Sequence, residues 1–93
     1  MDHIEYLKNR MQTGEEFEAY VSGKCYFLQP DYDRINKKPD KDHPAYPFTV
    51  VYDANDYENA EVIFVGTTDE VINYRFDDMY SMKNDIDKFE FFG

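Results

Sequence analysis

The sequence predicts an α+β domain: an N-terminal helix, an antiparallel sheet of three to four strands, and two short C-terminal helices. Three observations carry that prediction. Apolar residues recur at helical spacing toward both ends of the chain, runs rich in Val, Ile, Phe and Tyr occupy the middle, and Gly, Asn, Asp or Pro separate them. A chain of 93 residues can bury one core, so 1–93 is read as a single domain. Its 9 Tyr and 8 Phe supply large apolar areas that a disordered acidic tail lacks.

Asp2 and Glu5 have the spacing of a helix-capping pair, Ile4, Leu7 and Met11 share one helical face, and Gly14 offers a stop. Tyr6 and Arg10 fall at i, i+4 on the outer face, where they are expected to pack on each other in solvent. Glu16 to Val21 then alternates acid and apolar residues, and Ser22-Gly23 turns the chain into Lys24 to Leu28, a hairpin. Two registers are open. A two-residue loop sets Leu28 opposite Phe17, whereas a three-residue loop that includes Lys24 sets Phe27 opposite Ala19 and Cys25 opposite Val21. The second is expected, because it gathers Phe17, Ala19, Val21, Cys25 and Phe27 on one apolar face.

The stretch 31–47 is a long Pro-bounded loop, flanked and broken by Pro30, Pro39, Pro44 and Pro47, and it holds Arg34, Lys37, Lys38 and Lys41. No aromatic lies between Arg34 and Lys41 to stack a base, so it reads as a solvated, mobile excursion rather than a contact loop. Phe48–Tyr52 and Glu61–Val65 are the most strand-like runs and are expected to be central strands, paired antiparallel through the Asn- and Asp-rich connection 53–59. After Gly66, Thr67 and Glu70 have capping-box spacing, and Val71, Ile72 and Phe76 suit a short helix that Asp77-Asp78 interrupts. Met79, Met82, Ile86 and Phe89 recur at helical intervals, and the tail to Phe92 fits either a helix extension or an edge strand. The helices are expected to cover one sheet face, leaving acids and tyrosines on the other face and at the ends.

The charge balance narrows function: 20 Asp+Glu oppose 10 Lys+Arg, for a net charge of −10. From Val51 onward only Arg75, Lys83 and Lys88 oppose Asp53, Asp56, Glu58, Glu61, Asp69, Glu70, Asp77, Asp78, Asp85, Asp87 and Glu90. Such a field repels phosphate backbones, so direct nucleic-acid binding is not expected, and the isolated Gly14, Gly23, Gly66 and Gly93 form no phosphate cradle. A lone cysteine, Cys25, allows no internal disulfide and no zinc-ligand cluster. Thiol chemistry would need His3 or His43 beside it, yet Cys25 falls on the expected inner strand face.

Asp31-Tyr32-Asp33 and Asp53-Ala54-Asn55 begin like calcium loops, but Asn36 replaces the turn glycine and Asp42 closes the first, while Tyr57, Glu58 and Phe64 break the second. The expectation is therefore a non-enzymatic protein with no cofactor and no metal site. Met1 to Arg10 carries four charges and no apolar core, and no stretch reaches the ~18 apolar residues of a membrane span, so a cytoplasmic protein that avoids membranes is expected.

What survives is acidic mimicry. Carboxylates spread over a folded surface can occupy an Arg/Lys groove that otherwise holds phosphates, with tyrosines as rigid contacts. The candidate partner-binding residues are Asp53, Asp56, Tyr57, Glu58, Glu61, Asp69, Glu70, Tyr74, Asp77, Asp78, Tyr80 and Asp87.

Two segments carry a family resemblance. Glu16-Phe17, the turn Gly23-Lys24 and Tyr26-Phe27 form one, and Gly66-Thr67-Thr68-Asp69-Glu70-Val71-Ile72-Asn73-Tyr74-Arg75-Phe76-Asp77 the other, with Asp78 in place of a usual glycine. They resemble small acidic proteins carried by phages and mobile elements of low-GC Gram-positive bacteria, a neighbourhood that includes anti-CRISPR inhibitors. The resemblance implies an inhibitor acting as a nucleic-acid mimic against a basic groove of a bacterial defence nuclease, such as a CRISPR effector. The alternative is a small accessory or regulatory protein-interaction domain whose acidity serves solubility.

Overall fold

The computed structural model describes residues 2–56 and 58–93. Asp2 opens the first helix, α1 (His3–Gln12), by accepting a hydrogen bond from the Glu5 backbone N–H at 2.8 Å. Leu7 and Met11 are buried and Ile4 packs against the same core. Arg10 departs from the solvent position expected of it. It is only 8% exposed, because its Nη2 donates to the Gly93 carbonyl at 2.7 Å and its guanidinium lies 4.8 Å from the Phe17 ring centroid. The expected partner Tyr6 is also within 5.8 Å.

Strands β1 (Phe17–Val21) and β2 (Lys24–Pro30) pair with Phe17 opposite Leu28 and Val21 opposite Lys24, the two-residue register. The three-residue expectation fails for two reasons. Ser22 and Gly23 take φ of 53° and 73°, as the tight hairpin turn requires. That turn also sends the larger pair Tyr26 and Leu28 inward with Phe17, Ala19 and Val21, leaving Cys25 and Phe27 half-buried on the opposite face. Cys25 is therefore not on the inner face.

The sheet has five strands in the order β4 (Glu61–Thr67), β3 (Phe48–Asp53), β2, β1 and β7 (Glu90–Phe92), and each neighbouring pair is antiparallel. Strand β3 is interior, but β4 is an edge, contrary to its expected central place. Its Val62, Ile63 and Val65 are exposed, and the register slips between Val51 and Tyr52, leaving Ile63 as an extra residue. The opposite edge is β7, so the undecided tail is a strand paired with β1. The strand beyond the expected three to four in this sheet is β7, where the C-terminal segment folds back onto β1.

Thr67 and Glu70 form a reciprocal capping box at the start of α2 (Thr68–Asn73). Phe76 is not on that helix. It lies in β5 (Arg75–Phe76), which pairs with β6 (Tyr80–Ser81) across a turn in which Asp77 and Asp78 both have φ of 55°. Met79 sits in this small hairpin rather than on a helix, and α3 (Met82–Asp85) runs into a 3-10 turn at Ile86–Lys88. Helical periodicity had merged residues whose real link is a three-residue turn, Asp77-Asp78-Met79.

One core joins Leu7 and Met11 of α1, Val71 and Ile72 of α2, Phe76, Met82 and Phe89 to the inward Phe17, Ala19, Val21, Tyr26, Leu28 and Val51 of the sheet. Each large side chain buried there contributes about 1.5–3 kcal/mol from removing apolar surface from water. Aromatic rings lock the layer together: Tyr26 meets Phe76 at 4.8 Å, Phe76 meets Phe89 at 5.5 Å, and Phe64 stacks on Tyr74 at 4.6 Å.

The loop 31–47 has more internal structure than an open excursion. It begins with a 3-10 turn at Tyr32–Arg34, and Asn36 N–H donates to the Ala45 carbonyl at 2.8 Å. Asp40 accepts from the His43 backbone N–H at 2.8 Å, and Arg34 lies over Phe48 at 4.1 Å.

Candidate interaction surface

The β1–β2 turn, the β3–β4 connection and the β5–β6 turn meet at one end of the sheet. The register explains why: Lys24 follows the first turn, Asp53 lies opposite Tyr26, and Lys24 Nζ reaches Asp77 Oδ2 at 2.9 Å. The hydrogen bond that Lys24 donates to Asp77, and then the charge of that carboxylate, raises the Lys24 ammonium above its ordinary pKa. Lys24 thus bridges the two acidic turns, bonded to Asp77 and within Coulombic reach of Asp53, while Arg75 Nη2 donates to the Asp78 carbonyl at 3.0 Å on the second turn.

Local chemistry fixes this end. Asp53 accepts from the Asn55 backbone N–H at 3.0 Å and from its side-chain amide at 2.8 Å, and these bonds hold the Asp53 carboxyl below its ordinary pKa. Asn55 in turn accepts from the Cys25 N–H at 2.8 Å, tying the connection to β2. Asp56 accepts from the Glu58 N–H at 3.2 Å and from the Asn59 amide at 3.0 Å. Asp53, Asn55, Asp56, Asn59 and Glu61 line a recess of about 250 Å³.

Other expected contact residues lie elsewhere. Asp69 pairs with Lys8 at 2.7 Å, raising that lysine's pKa through the hydrogen bond, and Glu70 is occupied in capping α2. Asp87 is exposed near His3 and Phe89, away from the turns. Tyr74 is half-buried between Phe64 and Phe76, where burial and then the Asp78 charge push its pKa up. Tyr80 is also packed against the core, under Lys88 at 5.5 Å. Neither tyrosine is a free contact; Tyr57 lies outside the described residues.

The helix-free sheet face is less acidic than expected. Strand alternation and register place Glu18, Tyr20, Cys25, Phe27, Tyr52, Val65, Glu90 and Phe92 on it, two acids among mostly apolar and aromatic residues. Tyr20, Val62, Ile63, Val65 and Phe92 are exposed, and Glu18 stands between Phe27 and Phe92 across the strands. Sequence reasoning missed these residues. The signal was present in the alternation of Glu16 to Val21, which sends Glu18 and Tyr20 outward once the hairpin turn is two residues long.

The thiol of Cys25 approaches the Glu18 carboxylate at 3.7 Å, a neighbour that does not supply the imidazole or cation a thiolate nucleophile uses. Among the described residues no helix is long and apolar enough to cross a membrane. In comparisons with known proteins, no family model, curated protein or solved structure matches the chain.

Proposed function

We propose that this chain is a non-enzymatic inhibitor that presents its acidic end to a basic, nucleic-acid-binding groove of a bacterial defence nuclease such as a CRISPR effector. The observation that carries the reading is that Lys24, bonded to Asp77 and within Coulombic reach of Asp53, joins two acidic turns distant in sequence, one with Asp53, Asp56 and Glu61 around a recess and the other with Asp77 and Asp78. A groove that binds phosphates through Lys and Arg gains the same Coulombic attraction from carboxylates. Asp69 and Glu70 contribute less, because one is paired and the other caps a helix.

The test is affinity capture from bacterial lysate with and without excess nucleic acid. Basic nucleic-acid-binding proteins should be retained, and nucleic acid should displace them. Retention should also fall with salt, since exposed charges are screened over about 8 Å at physiological ionic strength. Capture of neutral or acidic proteins, indifferent to nucleic acid, would contradict the reading.

A second reading is favoured by a specific observation, the exposed apolar residues Tyr20, Val62, Val65 and Phe92 on one sheet face. In it the chain is an accessory interaction domain that docks by this face, and its acidity serves solubility. Neutralising the acidic end would then leave partner affinity unchanged.

A further inference from the structure

The open sheet face holds a cavity of about 480 Å³ bordered by Glu18, Tyr20, Cys25, Phe27 and Asn55. That volume is within the roughly 300–1,000 Å³ usual for sites that enclose a ligand group. Its polar groups are mostly engaged. Tyr20 hydroxyl donates to Glu18 Oε2 at 2.7 Å, and the Cys25 thiol approaches the same oxygen at 3.7 Å. Asn55 spends its carbonyl oxygen on the Cys25 N–H and its amide on Asp53. Glu18 makes no ion pair among the described residues. The cavity therefore offers one uncompensated negative charge, held in place by a phenol and walled by aromatic rings.

We propose that this cavity receives the guanidinium of an arginine carried by a basic partner protein, with Glu18 as its counter-charge and Tyr20 and Phe27 as stacking surfaces. The proposal rests on the partner being basic, as in the reading above, and adds a contact outside the acidic end. Arginine suits the site better than lysine because a planar guanidinium bonds a carboxylate while its face lies on an aromatic ring.

The protein already uses that arrangement once on itself. Arg34 lies 4.1 Å over Phe48, and its Nε donates to Asp31 Oδ2 at 2.7 Å. Phe48 falls on the same sheet face by strand alternation, since its neighbour Thr49 is buried on the core side. Tyr20 is fit to orient the site, because its hydroxyl donates to Glu18 Oε2 and the neighbouring Cys25 and Glu18 raise its pKa, so the phenol keeps its proton.

The test is an amide-resolved NMR titration of the full chain with a glycine-flanked tri-arginine peptide, beside the same peptide with each arginine replaced by neutral citrulline. The arginine peptide should shift the amide resonances of Glu18, Tyr20, Cys25 and Phe27, and the citrulline peptide should leave them in place. Glu18→Gln should weaken the arginine peptide about tenfold, the scale of one lost charge-assisted hydrogen bond. The comparison of peptides on the unaltered chain stands whether or not that variant folds.

Equal shifts from the citrulline peptide would overturn the proposal. So would shifts confined to residues 53–61 and 77–78 with the cavity silent, a result that leaves the acidic-end reading intact. Cavity shifts that persist while nucleic acid fails to compete for captured partners would instead retain this site and remove the groove reading.

Discussion

The two faces of the five-stranded sheet are built from alternate residues of the same strands, yet they serve different ends. The covered face sets Phe17, Ala19, Leu28 and Val51 against two helices and leaves each of them at most 1% exposed. The open face carries residues of similar apolarity, but Tyr20 and Phe92 keep 38% and 52% of their surface in contact with solvent. Hydropathy alone therefore does not separate the covered face from the open one. Partnership does: the inward side chains have helices to meet, and the outward ones have the edge of the 31–47 loop, the β3–β4 connection and each other.

Truncation is the strongest way to break that comparison. Phe76→Ala, which removes a ring in contact with Tyr26, Tyr74 and Phe89, should cost about 3–5 kcal/mol in denaturant unfolding. Phe92→Ala on the open face should cost under about 1 kcal/mol. Similar losses at both sites would mean that the open face is as much a part of the fold as the core.

Arg10→Leu should destabilise by about 1–3 kcal/mol, because the Gly93 carbonyl loses its donor and the β7 end its tether. The same unfolding measurement checks it, and amide exchange at Phe91 and Phe92 should rise with the loss. An unchanged midpoint would show that β7 holds through its pairing with β1 alone.

Asp78→Gly should raise stability by about 0.5–1 kcal/mol, since φ of 55° costs a side chain more than it costs glycine. A thermal melt reads it directly. A fall instead would mean that the Asp78 side chain supports the turn beyond its backbone.

The smallest effect concerns pH. The carboxyl of Asp53 is held below its ordinary pKa by Asn55, so the stability it contributes is present above the unfolded-state value and lost as pH falls through the folded one. Asp53→Asn should flatten the acid limb of the stability curve below about pH 4, by no more than ~0.5 kcal/mol after solvent screening. An acid limb unchanged in that variant would place the sensitivity on other carboxylates.

Legibility in the sequence followed the range of the interaction. Both helix caps were readable because Asp2 with Glu5 and Thr67 with Glu70 act within one turn. The β3–β4 pairing was readable from strand propensity and the turn between them. The β1–β2 register was misjudged because apolar patterning favoured Cys25 and Phe27 inward, while the Ser22-Gly23 backbone and the bulk of Tyr26 and Leu28 favoured the reverse. β5 and β6 were hidden because Val71, Ile72 and Phe76 happen to keep helical spacing across a break at Tyr74. At the surface, individual acids were visible but their grouping was not. It takes the Lys24 to Asp77 contact, between residues far apart in sequence, to bring the two acidic turns together.

The most direct measurement compares capture of basic, nucleic-acid-binding partners by the unaltered chain and two variants. Glu58→Gln with Glu61→Gln, Asp77→Asn and Asp78→Asn neutralises the acidic end, and asparagine tolerates the positive φ of the turn. Val62→Thr with Val65→Thr alters the open face away from the cavity. The account predicts that the acidic-end variant binds about tenfold or more weakly, from a few tenths of a kcal/mol per lost charge, while the open-face variant stays within about threefold. Unchanged binding by the acidic-end variant, with loss in the open-face variant, would contradict it.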